Sequence, residues 1–374
     1  MKPLRILLCA PNFNRGGAER MSLQLLEELD RDRFEVCMYV HERLPIQFDP
    51  SRKQLGDIIF GVTGYYRRWH LFRHLCETLR LARGADVIVG SNEGRASGLA
   101  LFAGMVLRRP VVLWLHADWS RFSRIVSWRT RLVVRFFQQA SVIVACSQGV
   151  ASSHANAFPS ARGRLHVITN CIDVSAIESA ASVDLPEDMQ GLFEAPTVVA
   201  VGRLDRQKGH DLLIRAHALA LQAGIKHNLF ILGDGGEGAM LKKLAAKLEV
   251  TDTVHFLGFQ ENPYRFMARA TLFVLASRFE GFGLVVAEAL ACRVPVVAFD
   301  CPSGPAEILQ NGRYGVLVPP QDTNALSKAI ISTLADVALR RHLADGGPSR
   351  AQHFGVSAFS AAWSEVLETA AERK

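Results

Sequence analysis

Two glutamates with seven residues between them, Glu280 and Glu288 in RFEGFGLVVAEALAC, bracket a glycine-marked loop and the helix that follows it. Gly281 and Gly283 argue against continuous helix at Glu280, so that carboxylate falls in the loop, while Glu288 lies more than a turn inside the helix. The two therefore address different parts of one polar ligand rather than each other. Glu288 suits hydrogen bonds from a ribose diol, and Glu280 suits a hydroxylated or developing cationic group. The amides at the helix start add an attraction for anions, so a phosphorylated ligand fits the layout. Two surface salt bridges are the plainer use of the same side chains.

Other chemistry-bearing residues also follow predicted strands. TVVAVGRLDRQKGHDLLIRAH gives a strand, a turn at Gly202, then Arg203 and Lys208 near the next helix start. Two such cations can share a diphosphate, each charge-assisted bond contributing roughly 1.5 to 3 kcal/mol, or they form an exposed basic turn. NLFILGD leads into Gly233, Asp234, Gly235 and Gly236, and TVHFLGF ends at Gly258 and Phe259, whose backbone groups could read a base edge or simply turn the chain. Gly16 and Gly17 in PNFNRGGAER open a helix whose apolar face runs through Met21, Leu25 and Leu29. Adjacent glycines let a ligand approach backbone amides, although a flexible turn before a helix is the commoner reason for them, and neither the GxGxxG nor the GxxxxGK[ST] spacing is present. His116 ends the run VVLWLH, which sets an imidazole at a sheet edge in either a structural or a catalytic role.

The elements that must hold these residues alternate from end to end. LRILLCA, FEVCMYV, DVIVG, PVVLWLH, SVIVACS and LHVIT, and later TVVAVGRL, NLFILGD, TVHFLGF, ATLFVLAS, VPVVAF and YGVLVP, read as strands separated by helical or turn-rich stretches. Such alternation predicts parallel sheets with helices on both faces, whose ligands collect at the carboxyl ends of strands. A polar, proline-bearing lapse between Asp173 and Pro196 divides the chain into residues 1–185 and 186–374, two doubly wound α/β domains. The last segment, about 355–374, is helical by the spacing of Phe359, Trp363 and Val366. Whether it docks on the first domain does not follow from the spacing.

Composition narrows the partners. The 374 residues carry a net charge of +7, with 24 basic and 18 acidic groups in residues 1–190 and 19 and 18 in the remainder. Within the first half, Arg67 to Arg135 holds 13 Arg against four acids, interleaved with Trp69, Phe72, Phe102, Trp119, Phe122, Trp128, Phe136 and Phe137. That mixture reads either as solvated helix faces or as a surface for an anionic membrane. No zinc-finger spacing or RNP-like motif argues for nucleic acid. Seven scattered cysteines without a CxxC pair fit reduced, buried thiols in a cytosolic protein better than a disulfide framework or a zinc site. MKPLRILLCAP is too short in its apolar run for a signal peptide, and no stretch approaches the roughly 20 apolar residues of a membrane span, so membrane contact would be peripheral.

RGGAER, VITNCID, VGRLDRQKGHDLLIRA, FILGDGGE, VHFLGF and EGFGLVVAE together resemble the GT-B class of retaining glycosyltransferases, specifically family 4, along nearly the whole chain. The resemblance implies a diphosphate clamp of Arg203 and Lys208, a ribose ligand at Glu288, and helix-start amides at Gly283 and Leu284 near the phosphate. It implies contact of Glu280 and His116 with the donor sugar, closure of Gly16 and Gly17 onto the diphosphate, and donor contacts at Gly233 and Phe259. No metal or other cofactor is expected, because cations and amides can stabilise the leaving diphosphate. The tail FDCPSGPAEIL resembles bacterial members that add hexoses or N-acetylhexosamines to lipid-linked or envelope glycans, typically from UDP-sugars, at the inner face of the cytoplasmic membrane. A GDP-mannose donor and a UDP-N-acetylglucosamine 2-epimerase activity are the alternatives. An NAD-dependent oxidoreductase is disfavoured by the missing glycine fingerprint.

Overall fold

The computed structural model describes residues 2–13, 16–43, 57–63, 70–117 and 136–373, and these divide into two compact units. The first comprises Met1–Cys171 with Val356–Lys374, the second Ile172–Gly355. Among the described residues of the first unit, the strands are β1 (Leu4–Ala10), β2 (Phe34–Arg43), β3 (Asp57–Thr63), β4 (Val87–Gly90), β5 (Val111–Leu115), β6 (Val142–Ala145) and β7 (Leu165–Val167). They form one parallel sheet in the order β3-β2-β1-β4-β5-β6-β7. VIVG, VVLWL and VIVA are buried along their whole length. Continuous apolar runs are what a parallel strand covered on both faces requires.

The second unit repeats the plan with β8 (Thr197–Val201), β9 (Asn228–Leu232), β10 (Val254–Gly258), β11 (Leu272–Leu275), β12 (Val296–Phe299) and β13 (Val316–Val318). Their order is β10-β9-β8-β11-β12-β13, again parallel throughout. Chain order reverses between β8 and β11. Loops leaving two neighbouring strands at such a switch point diverge to opposite faces of the sheet and open a crevice at its carboxyl edge. A core of Leu213, Ile214, Leu229, Ile231, Leu272, Val274, Val297 and Phe299 fixes the strands beneath that crevice.

Three features depart from the sequence reading or extend it. Strand β3, DIIFGVT, was not anticipated: among the described residues it pairs on one side only, and Gly61 interrupts its apolar run. The chain changes unit at 171/172 rather than at 185/186, because helix Val174–Ala181 packs on helices Tyr264–Met267 and Leu284–Ala291. Arg269 ties that helix further, donating to Ala181 O (3.1 Å) and Asp184 Oδ1 (3.0 Å). The last helix, Val356–Glu372, belongs to the first unit. Its Trp363 ring lies 4.6 Å and its Phe359 ring 5.9 Å from that of Trp114 in β5, and Ser360 Oγ donates to Glu28 O (2.6 Å). Among the described residues no helix is long and apolar enough to cross a membrane.

Candidate functional site

At the carboxyl edge of the second sheet, the loops after β8 and β11 are stitched together. Arg278 N donates to Gln207 O (2.8 Å), Gln207 Nε2 donates to Phe279 O (3.1 Å), and Arg278 grips Asp211 with two bonds of 2.8 Å. Burial raises the pKa of Asp211, but the Arg278 bonds and charge outweigh it, with amide bonds at the helix start, and the net direction is down. Gly209, at φ +65°, is where the backbones meet: a Cβ there would lie 2.0 Å from Ala276 O. Only glycine accepts both that dihedral and that approach.

This stitching brings Lys208 against Glu280. Lys208 Nζ donates to Glu280 Oε1 at 2.7 Å, and Ser277 Oγ donates to the same oxygen at 2.6 Å. Glu280 is only 5% exposed, so an ionised carboxylate needs both donors. Arg203 takes the opposite character: its guanidinium is half exposed and meets Asp205 at 3.2 Å, a weak surface pair that a stronger anion can displace. His210 beside them is buried, which pushes its pKa down to about 4, and the Lys208 charge adds to the shift. Helix Leu284–Ala291 begins after Gly283 (φ +88°) with no side-chain cap, so its N-terminus suits an anion.

Glu288 lies in the second turn of that helix, 5% exposed, and its Oε1 accepts from the Tyr264 hydroxyl (3.1 Å). Further along the edge, Gly233 has φ +137°, and a Cβ there would sit 2.1 Å from Gly202 O. The Phe259 amide, expected either to read a base edge or simply to turn the chain, donates to Asp234 Oδ2 (3.1 Å) and so links the turns after β9 and β10.

In the first unit, Gly16 precedes helix Gly17–Glu28, and His116 directly follows β5. Glu93 Oε1 accepts from the amides of His116 (2.5 Å) and Ala117 (2.8 Å), which fixes the strand end. The imidazole lies 4.6 Å from Trp114, centroid to centroid, with Nε2 enclosed. Burial pushes its pKa down to about 3, so near neutrality the ring is an uncharged hydrogen-bonding group and a weak proton acceptor.

Arg203, Lys208, Gly233, Phe259, Glu280, Gly283, Leu284 and Glu288 thus share the carboxyl edge of the second sheet, while Gly16, Gly17 and His116 follow strands of the first. Ser277, Asp211, Arg278, Tyr264 and Glu93 were not singled out from sequence. Ser277, three residues before Glu280, was legible as a partner; the others act across 23 to 67 residues, where spacing carries no signal. Of the basic, aromatic surface, Trp69, Trp119, Phe122 and Trp128 lie outside the described residues. Five of the seven cysteines are buried, Cys37 is half-buried and Cys76 exposed, burial pushes Cys292 up to about 12, and among the described residues no cluster of metal-ligating side chains occurs.

The chain matches two family models, Glycosyltransferase Family 4 over residues 15–176 and Glycosyl transferases group 1 over residues 190–350. It is 33% identical over 223 residues to the N-acetylgalactosamine-N,N'-diacetylbacillosaminyl-diphospho-undecaprenol 4-alpha-N-acetylgalactosaminyltransferase of Campylobacter jejuni, covering 60% of this chain and 59% of that one. The chain therefore spans less than two thirds of that relative's length. It is 28% identical over 365 residues to the alpha-D-kanosaminyltransferase of Streptomyces kanamyceticus, covering 92% and 93%. In fold it matches Anabaena HepE, solved in complex with UDP-glucose, with a TM-score of 0.82, 24% identity, and coverage of 98% and 100%.

Proposed function

The chain belongs to glycosyltransferase family 4 and has the GT-B fold, and from that premise we propose that it moves a hexose or N-acetylhexosamine from a UDP-sugar to a hydroxyl of a lipid-linked or cell-envelope glycan, with retention at the anomeric carbon. The observation that carries this reading is the contact of Lys208, Glu280 and Ser277 at the switch point, with Glu288 on the adjoining helix. Lysine has three N–H donors, so Lys208 can hold Glu280 and a phosphate oxygen together. Arg203 adds a planar fork, and the amides of Gly283 and Leu284 supply the helix-start field. Glu280 then faces the sugar hydroxyls and Glu288 the ribose diol, with Gly233 and Phe259 lining the nucleotide end.

The diphosphate that departs gains negative charge, which these cations and amides stabilise without a metal ion. In a front-face transfer the leaving phosphate oxygen takes the acceptor proton. That assignment suits His116, whose lowered pKa fits hydrogen bonding to a sugar better than proton abstraction. Gly16 and Gly17 are proposed as the ligand-facing backbone of the first unit. The acceptor class rests on the Campylobacter relative, whose name specifies a diphospho-undecaprenol saccharide. Peripheral contact with an anionic membrane accords with exposed Phe72, Phe102, Met105 and Val106 among Arg73, Arg80, Arg83 and Arg108. Salt-sensitive sedimentation with anionic liposomes supports this contact; no lipid binding at low salt rejects it.

A thermal-shift panel of UDP, GDP, ADP and their sugars tests the donor. Ligands that bind the folded state alone raise the melting temperature, and UDP compounds are expected to do so most. A shift with GDP-mannose alone would replace the donor. Epimerised sugar formed from a UDP-sugar without acceptor would replace the reaction.

A further inference from the structure

Helix Tyr264–Met267 is a single turn, too short to stand by itself, yet it is built with unusual care. Asn262 Oδ1 accepts from the amides of Tyr264 (3.2 Å) and Arg265 (3.4 Å), which caps the turn. The same side chain donates through Nδ2 to Ala180 O (2.7 Å), which pins the turn to helix Val174–Ala181. Pro263 at the N-cap removes backbone freedom there. This construction brings the Tyr264 hydroxyl to Glu288 Oε1 at the carboxyl edge.

We propose that Tyr264 is a positioning residue that sets the Glu288 carboxylate for a vicinal diol and thereby makes the site select ribonucleotides over deoxyribonucleotides; this rests on the donor reading above. A glutamate has three rotatable bonds, and a carboxylate accepts a diol well only when its plane and lone pairs face both hydroxyls. The Tyr264 bond occupies one lone pair of Oε1 and fixes the plane, and the remaining acceptor sites keep their directions. A site that hydrogen-bonds a hydroxyl discriminates strongly against the analogue lacking it, because a buried acceptor is then left short of a partner. Discrimination of that kind weakens when the acceptor can rotate away.

The test is calorimetric affinity for UDP against 2′-deoxy-UDP, and for GDP against 2′-deoxy-GDP, in wild type, Tyr264→Phe, Asn262→Ala and Glu288→Gln. Tyr264→Phe keeps the ring and removes only the oxygen. It is expected to weaken the preferred ribonucleotide about 5- to 20-fold, leave its deoxy analogue within about twofold, and change kcat at saturating donor by less than about twofold. Asn262→Ala, which loosens the turn without touching the hydroxyl, should move the ribo-to-deoxy ratio in the same direction by less. Equal weakening of both nucleotides in Tyr264→Phe would show a structural role and overturn the proposal, as would an unchanged ratio. Glu288→Gln separates the two levels. If it keeps wild-type discrimination, the ribose assignment itself fails; if it abolishes discrimination while Tyr264→Phe does not, only the role of Tyr264 fails.

Discussion

Glu280 and Lys208 show how far a residue type at a spacing can be read. Glu280 was legible as a loop carboxylate and Lys208 as a cation near a helix start, but their 2.7 Å contact spans 72 residues and needed the fold. Because the pair is largely buried, removing either partner strands the other, so the single changes are not independent. Glu280→Ala, Lys208→Ala and Arg203→Ala should each reduce transfer at least about tenfold, or roughly 1.4 kcal/mol of transition-state stabilisation, with the fold retained. The double change Glu280→Ala with Lys208→Ala should lose much less than the product of the single losses. Steady-state kinetics on the four proteins checks both statements, and strict multiplicativity would mean that the contact is incidental to turnover. His116 was open between structural and catalytic roles, and its pKa, pushed down to about 3, makes it an uncharged hydrogen-bonding group near neutrality in either role.

At the scale of elements, most strands were legible because parallel strands covered on both faces must be apolar throughout, as VVLWL and LFVL are. Edge strand β3 escaped because one-sided pairing relaxes that demand. The stitching of the β8 and β11 loops escaped for another reason: the Gln207 and Arg278–Asp211 bonds that make it act across 67 to 72 residues, and sequence gives only Gly209 as a sign of it. Gly209→Ala places a Cβ into Ala276 O and holds alanine at φ +65°, which costs about 1 to 2 kcal/mol for the dihedral alone. It should lower the melting temperature by several degrees and weaken nucleotide binding together, as read by calorimetry. Intact binding would mean that the loop junction does not shape the site. The last helix makes the complementary case. Phe359, Trp363 and Val366 marked its apolar face, and the fold shows that face against Trp114, next but one to His116. Trp363→Ala should cost about 3 to 5 kcal/mol, measured by denaturant unfolding. A loss below about 1 kcal/mol would mean that the helix is only loosely attached.

For the molecule as a whole, the buried histidines couple stability to pH. Burial lowers the pKa values of His41, His116 and His217 to about 3, and of His74, His154 and His210 to about 4. His41 and His74 are stacked at 4.6 Å, and each charge would further oppose its neighbour. In the unfolded chain these rings titrate near the usual value of about 6.5. Below that pH the unfolded state binds protons that the folded state refuses, so the stability is complete above about pH 6.5 and declines as pH falls toward 4. The melting temperature should therefore drop steadily from pH 7 to pH 5, whereas a flat profile would mean that these rings reach solvent. Such burial was not legible in a histidine count, since only the packed units decide which rings lose water. The two-sheet architecture itself was legible from alternation, and the family from six motifs spread along it. The donor, the acceptor and the metal requirement are matters of chemistry on that scaffold. Incubation of the protein with a UDP-hexose or UDP-N-acetylhexosamine, a diphospho-undecaprenol saccharide and EDTA, followed by mass spectrometry and NMR of the lipid product, tests the central claim most directly. The expected result is addition of one sugar with the donor's anomeric configuration, lost in Lys208→Ala and Glu280→Ala. Product of inverted configuration, or transfer at wild-type rate in both variants, would contradict it.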